Sequence, residues 1–210
     1  MITTGDELDI IKTGAGDDTI SAGAGNNFVS AGNGTNNITT GAGNDRISTG
    51  TGNDTIVAGD GNNLISAGDG DNTVTTGDGN NRVNTGAGND TINVGNGTNT
   101  VNGGNGNNTV TGGSGNDNIG LGSGNDTVNA GDGTNTVSVG NGNNLVTTGS
   151  GNDRITTGSG SDVIIAGAGD DQIRSGGGDD AVSGGDGDDR IFASGGDNIL
   201  IGSLGSDLRA

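Results

Sequence analysis

The chain has 210 residues, of which 50 are Gly, and it contains no Pro, Cys, His, Trp or Tyr. Apolar residues make up 26% of the sequence, against roughly 45–50% in ordinary globular domains, which argues against a single large core. The net charge of −19 at pH 7 predicts a surface that repels nucleic acid and anionic membranes and attracts cations.

The missing residue types also exclude several chemistries. Without Cys and His there is no disulfide framework and no ordinary zinc, haem or iron–sulfur site. No segment is long and apolar enough to insert into a membrane, and the N-terminus lacks the basic-then-apolar layout of a signal peptide. Every Asp belongs to a repeated position or to an end of the chain, so we predict no catalytic residue and no enzyme activity.

Residues 1–13 form a degenerate repeat that we predict to be an N-terminal cap. The segment GDELDIIKT, starting at Gly5, places Asp9 and Ile11 at the spacing found in the units that follow. It is richer in apolar residues than those units, which is typical of terminal repeats that close a solenoid.

Residues 14–193 divide into twenty nonapeptides without insertion or deletion. Counting from Gly14, positions one and three are always Gly, position five is Asp or Asn, and position seven is Ile or Val. A disordered Gly-rich linker would not keep a β-branched residue at one position in nine. Residues 194–210 continue the phase weakly, and we predict that they form a C-terminal cap.

Each nonapeptide predicts a six-residue turn followed by a three-residue strand. Gly adopts backbone angles that other residues resist, Asp and Asn suit turns, and alternation along Thr19, Ile20 and Ser21 points Ile20 inward. Two units complete one coil, so residue i stacks on residue i+18. The predicted fold is therefore all-β, a parallel β-roll (a β-solenoid) of 9-residue repeats with about ten to eleven coils and two facing sheets.

The unit resembles the nonapeptide G-G-x-G-x-D-x-U-x of the RTX, or hemolysin-type, calcium-binding family. The segment from Gly112 to Ile119 fits this motif in full, although most units lack the first Gly and nine of twenty carry Asn at position five. The resemblance implies a β-roll that binds several Ca²⁺ ions between stacked turns through Asp carboxylates and turn carbonyls. It also implies a secreted or cell-surface protein, exported by a type I-like route and folded by extracellular calcium.

The metal ligands implied by the resemblance are the position-five acids, with turn carbonyls beside them. The acids are Asp18, Asp45, Asp54, Asp90, Asp117, Asp126, Asp153, Asp162, Asp171, Asp180 and Asp189. The carbonyls are those near Gly149, Gly151, Gly158, Gly160, Gly167, Gly169, Gly176 and Gly178. We expect the strongest sites at residues 153–189, because acids occupy position five of successive coils there.

The position-five Asn residues leave two interpretations open. Their side-chain carbonyls are suitable hard ligands, so mixed Asp and Asn sites would bind calcium more weakly. Alternatively, the amides form a hydrogen-bonded ladder that relieves the repulsion between acids without metal.

The resulting functional hypothesis is a calcium-binding extracellular structural module, such as a spacer, adhesin, surface-layer component or matrix scaffold. One alternative is a β-solenoid filament that self-associates laterally, or end to end through its open sheet edges, with Asn ladders in place of calcium. A second is an ice- or polysaccharide-binding surface on the Thr-rich sheet, whose outward positions include Thr91 and Thr109.

Overall fold

A computed structural model describes residues 1–209, and these residues form a stack of short strands and turns without any helix. The 24 strands, numbered in chain order, alternate between two twelve-stranded parallel sheets, which we call the odd sheet and the even sheet. With no helix present, none of the described segments is a helix able to cross a membrane.

The odd sheet contains β1 (Ile2–Thr3), β3 (Thr19–Ser21), β5 (Asn37–Thr39), β7 (Thr55–Ala58), β9 (Thr73–Thr76), β11 (Thr91–Asn93), β13 (Thr109–Thr111), β15 (Thr127–Asn129), β17 (Leu145–Thr147), β19 (Val163–Ile165), β21 (Ala181–Ser183) and β23 (Ile199–Ile201). The even sheet contains β2 (Ile10–Lys12), β4 (Phe28–Gly32), β6 (Arg46–Thr49), β8 (Leu64–Gly68), β10 (Arg82–Thr85), β12 (Thr100–Asn102), β14 (Asn118–Gly120), β16 (Thr136–Ser138), β18 (Arg154–Thr156), β20 (Gln172–Arg174), β22 (Arg190–Phe192) and β24 (Leu208–Arg209).

Neighbouring strands of each sheet pair in register, residue i with residue i+18. Ile92, for example, lies between Val74 and Val110 in the odd sheet. This register confirms the predicted coil of two nonapeptides. With twelve strands in each sheet, the roll has about one coil more than the sequence predicts, because the degenerate units at both ends also form strands in register.

The core is a narrow double file of aliphatic side chains. All twenty position-seven Ile and Val residues are at most 2% exposed, as their alternation with polar residues predicts. Position nine is also inward: Ala22 and Ala31 are fully buried, and the buried Thr76 donates its hydroxyl to the Val94 carbonyl of the next coil at 2.8 Å. The burial of position nine was not predicted from the sequence.

Position three must be Gly for two reasons. Its φ angle is positive in all twenty units, +127° at Gly34, and L side chains rarely adopt such values. A Cβ atom at Gly34 would also collide with the Gly16 carbonyl of the preceding coil. Position-three Gly therefore lets the turns both fold and stack, which brings their carbonyl groups close to the position-five side chains.

Candidate calcium sites

The side chains at position five point into the roll, beside the glycine turns. Of the eleven predicted acidic ligands, ten are only 1–2% exposed, and Asp18, near the N-terminal end, is half-buried. Burial follows from the backbone: positions five, seven and nine alternate with outward positions and therefore share the inner face. The structure brings these acids into two files, one along each side of the roll.

One side-chain oxygen has the same role whether position five is Asp or Asn. Its Oδ1 atom accepts the backbone N–H of the position-five residue on the preceding coil. Asp45 Oδ1 accepts the Asn27 N–H at 2.8 Å, and Asn63 Oδ1 accepts the Asp45 N–H at 3.0 Å. This ladder joins successive coils and fixes the orientation of each side chain.

The second atom of the side chain differs between the two residue types. In the Asn63 unit, Nδ2 donates to the Gly59 carbonyl at 2.9 Å and to the Gly61 carbonyl at 3.2 Å, the carbonyls of positions one and three. The same pair of hydrogen bonds occurs in all nine Asn units of the array. The residues are Asn27, Asn36, Asn63, Asn72, Asn81, Asn99, Asn108, Asn135 and Asn144.

In the Asp units the corresponding atom is a carboxylate oxygen with no hydrogen-bond donor. Asp45 Oδ2 is buried and receives no donor from residues 1–209, and the position-three carbonyl of its unit, at Gly43, receives none either. Oδ1 is held as in Asn, whereas Oδ2 lies beside position nine of the preceding unit: a Cβ atom at Gly112 would lie 2.5 Å from Asp117 Oδ2. The buried Oδ2 atoms without a donor belong to Asp9, Asp45, Asp54, Asp90, Asp117, Asp126, Asp153, Asp162, Asp171, Asp180 and Asp189.

Burial makes seven of these carboxylates more difficult to ionise in the absence of a cation. It raises the pKa of Asp117 to about 6 and that of Asp171 to about 7. At Asp171, the carboxylates of Asp153 and Asp189 on the neighbouring coils add to the effect. Burial also raises the pKa values of Asp90, Asp126, Asp153, Asp162 and Asp189.

A cluster of buried acceptor oxygens without donors fits a hard cation. Ca²⁺ takes six to eight oxygen ligands, including backbone carbonyls. Within residues 1–209 no three acidic side chains come together, so each site would combine one or two carboxylates with turn carbonyls. Backbone oxygens would therefore be needed beside the carboxylates to complete such a site.

The predicted turn carbonyls divide into two groups. Those of position one, at Gly149, Gly158, Gly167 and Gly176, accept backbone N–H groups from the next coil. Those of position three, at Gly151, Gly160, Gly169 and Gly178, receive no donor from the described residues. The position-three carbonyls are therefore the better candidates as metal ligands.

The terminal coils contain two further position-five acids that the predicted ligand set left out. Asp9 is one of the acids with a buried Oδ2 lacking a donor. Asp207 is different, because Arg209 Nη2 lies 3.2 Å from its Oδ2. The nonapeptide spacing identifies both acids in the sequence, and at Asp207 a guanidinium supplies the positive charge that the interior acids lack.

Comparison with known proteins agrees with this geometry. The family model described as RTX calcium-binding nonapeptide repeat (4 copies) matches ten overlapping segments, at residues 3–38, 30–65, 39–74, 57–92, 66–101, 93–128, 111–146, 129–164, 147–182 and 174–208. A search of curated proteins finds no match. The matched segments together span residues 3–208, and the fold is the parallel β-solenoid that the motif predicts. The chain therefore belongs to the RTX calcium-binding nonapeptide repeat family.

Proposed function

We propose that this chain is a calcium-stabilised structural module of the extracellular space or cell surface. The observation that carries the proposal is the row of buried Asp Oδ2 atoms that receive no donor, in units whose position-three carbonyls receive none either. Ca²⁺ bound there would neutralise the carboxylates and join the turn of one coil to that of the next. Extracellular modules bind calcium at about 10⁻⁴–10⁻³ M, so such sites would fill outside a cell.

The proposed ligands are the eleven position-five acids of the array, from Asp18 to Asp189, with Asp9 added. The strongest sites lie where acids stack on adjacent coils. The Asp153 N–H donates to Asp171 Oδ1 at 2.7 Å, and the Asp171 N–H donates to Asp189 Oδ1 at 2.9 Å. Charges at strand spacing, about 4.8 Å, repel each other by roughly 3 kcal/mol in a partly buried site, and calcium removes this repulsion.

The shape of the molecule supports a structural role. Twelve strands per sheet at about 4.8 Å give a rod roughly 50 Å long, with outward faces that repeat along its length. A spacer, an adhesin segment, a surface-layer component or a matrix scaffold would use such a rod for reach and stiffness.

The test is a calcium titration of the chelated full chain, followed by far-UV circular dichroism, with bound ions counted by native mass spectrometry. We expect strand signal to increase with calcium at about millimolar concentration and several ions to remain bound. Magnesium at the same concentration is the control, because it requires a more rigid octahedral site. The proposal would be contradicted if the chain retains no calcium and its circular dichroism spectrum is unchanged by chelator.

End-to-end assembly is a second candidate function, favoured by the exposed apolar residues at both ends of the roll. Leu8 and Ile10 are 65% and 75% exposed at one end, and Ile199 and Leu204 are 62% and 74% exposed at the other. The outermost strands, β1, β2, β23 and β24, also leave one edge unpaired within the described chain. Deletion of residues 1–13 or 194–210 should abolish polymers if the ends are joints and promote them if the ends are caps.

A further inference from the structure

We propose that the inward Asn side chains replace the metal ion, so that their coils close without calcium and the ions are confined to the Asp units. The inference rests on the proposed calcium-binding function and deepens it. It assigns a role to the nine units that depart from the family motif, and it predicts which parts of the roll fold without calcium.

The amide group of each inward Asn contacts the carbonyls of its own turn. In each of the nine Asn units of residues 14–193, Nδ2 donates to the carbonyls of positions one and three, as Asn81 does to Gly77 at 3.2 Å and Gly79 at 3.1 Å. These carbonyls are among the oxygens that would face a cation in an Asp unit. The NH₂ group therefore satisfies the turn directly and brings hydrogen atoms, rather than a free oxygen, toward the place of the ion.

The remaining oxygen of the amide is already hydrogen-bonded to the preceding coil. Asn81 Oδ1 already accepts the Asn63 N–H at 3.0 Å and the Asn63 Nδ2–H at 3.1 Å. To offer this oxygen to a cation, the side chain would have to rotate and break the ladder to the preceding coil together with both hydrogen bonds to glycine carbonyls. Binding through the Asn oxygen would thus remove contacts that the coil already makes.

In the last coil, a positive group of the chain itself lies beside a position-five acid. Arg209 contacts Oδ2 of Asp207, and the Asp207 side chain is only 4% exposed. This Oδ2 has a donor, whereas the buried Oδ2 atoms of the interior acids do not. The Asn units thus place an amide donor beside the turn carbonyls, and the last coil places a guanidinium beside its acid. The interior acids have neither group and would need a bound cation instead.

The Asn units are not evenly distributed along the roll. Asn63, Asn81 and Asn99 succeed one another along the even sheet, and no position-five acid interrupts them there. On the odd-sheet side of the same coils, Asn72 and Asn108 flank Asp90. This middle segment of the roll therefore has the lowest requirement for calcium, whereas residues 153–189 have the highest.

The experiment compares Asn81→Asp with Asn80→Asp in the full chain. Both variants add one carboxylate, but residue 81 is buried and residue 80 is exposed at the outer surface. We expect native mass spectrometry to show one additional bound calcium ion in Asn81→Asp and no change in Asn80→Asp. In chelator, Asn81→Asp should unfold at a lower urea concentration than the wild type, and calcium should restore its stability.

The reciprocal variant Asp117→Asn should lose one ion and gain resistance to urea in chelator. If Asn81→Asp and Asp117→Asn bind the same number of calcium ions as a calcium-bound wild type, this inference alone is overturned. A wild type that binds no calcium would overturn the proposed function and the assignment of ions together. Increased resistance of Asn81→Asp to urea in chelator would contradict the role of the amide, whatever the ion count.

Discussion

The position-five acid Asp171 offers the sharpest prediction, because its replacement by Asn should have opposite effects with and without calcium. Asp171 is 1% exposed, and burial with the neighbouring carboxylates raises its pKa from 3.8 to about 7. At pH 8 the Asp171 side chain must ionise in the folded chain. The shift of its pKa corresponds to a loss of roughly 4 kcal/mol from the free energy of unfolding. Asp171→Asn removes this cost and adds a donor that faces the turn carbonyls.

In chelator at pH 8, Asp171→Asn should therefore raise the free energy of unfolding by about 4 kcal/mol, measured by urea denaturation and circular dichroism. In excess calcium the same variant should be less stable than the wild type, because it lacks one carboxylate ligand. Asp60→Asn, which removes a charge from an exposed position outside residues 153–189, is the control and should change both values by under about 0.5 kcal/mol. Destabilisation of the chelated protein by Asp171→Asn would refute the reasoning.

Three other predictions concern pH, the core and the turns. Because burial raises the pKa of Asp117 to about 6 from 3.8, the folded state of the chelated chain binds protons more tightly than the unfolded state. Its stability should therefore be greatest below about pH 4 and fall as pH rises to about 7, and urea midpoints that rise over this interval would contradict the shift. Ile155→Ala should cost about 2–5 kcal/mol in calcium-bound protein, whereas the exposed Thr127→Ala should change little in the same denaturation assay. Gly34→Ala should abolish the native strand spectrum at room temperature or lower the melting temperature of the protein by many degrees, because both the positive φ of residue 34 and the stacked turn exclude a Cβ atom. The control is Gly5→Ala, where a Cβ atom would have open space, and its melting temperature should stay near that of the wild type.

Much of the fold could be predicted from the sequence because each nonapeptide repeats the same pattern of turn-forming and strand-forming residues. Two glycines set the turn, one β-branched residue marks the inward side of the strand, and the nonapeptide interval gives the coil. The confirmed register between Ile92 and Val110 follows from this repetition alone. The family also follows from it, since the motif consists of these same positions.

The candidate sites were only partly predictable. The sequence identifies the position-five acids and which of them stack on successive coils, but it does not show that Asp45 Oδ1 is already used by the backbone of the preceding coil. The role of position nine was also missed, because residues as different as Ala22 and Thr76 occupy it. Whether each acid binds an ion stays a prediction, as do the boundaries of the caps at residues 1–13 and 194–210.

By itself, the sequence determined the repeat, the two-sheet roll and the type of ion that its acids would attract. Only the tertiary structure decided what the second side-chain atom at position five contacts. Asp and Asn have the same shape, and their Oδ1 atoms accept the same backbone hydrogen bond. The difference is whether the second atom donates to the carbonyls of the turn, as Nδ2 does, or is an oxygen without a donor. That distinction arises only when successive coils stack, because stacking buries the side chain and removes the water that would otherwise satisfy it.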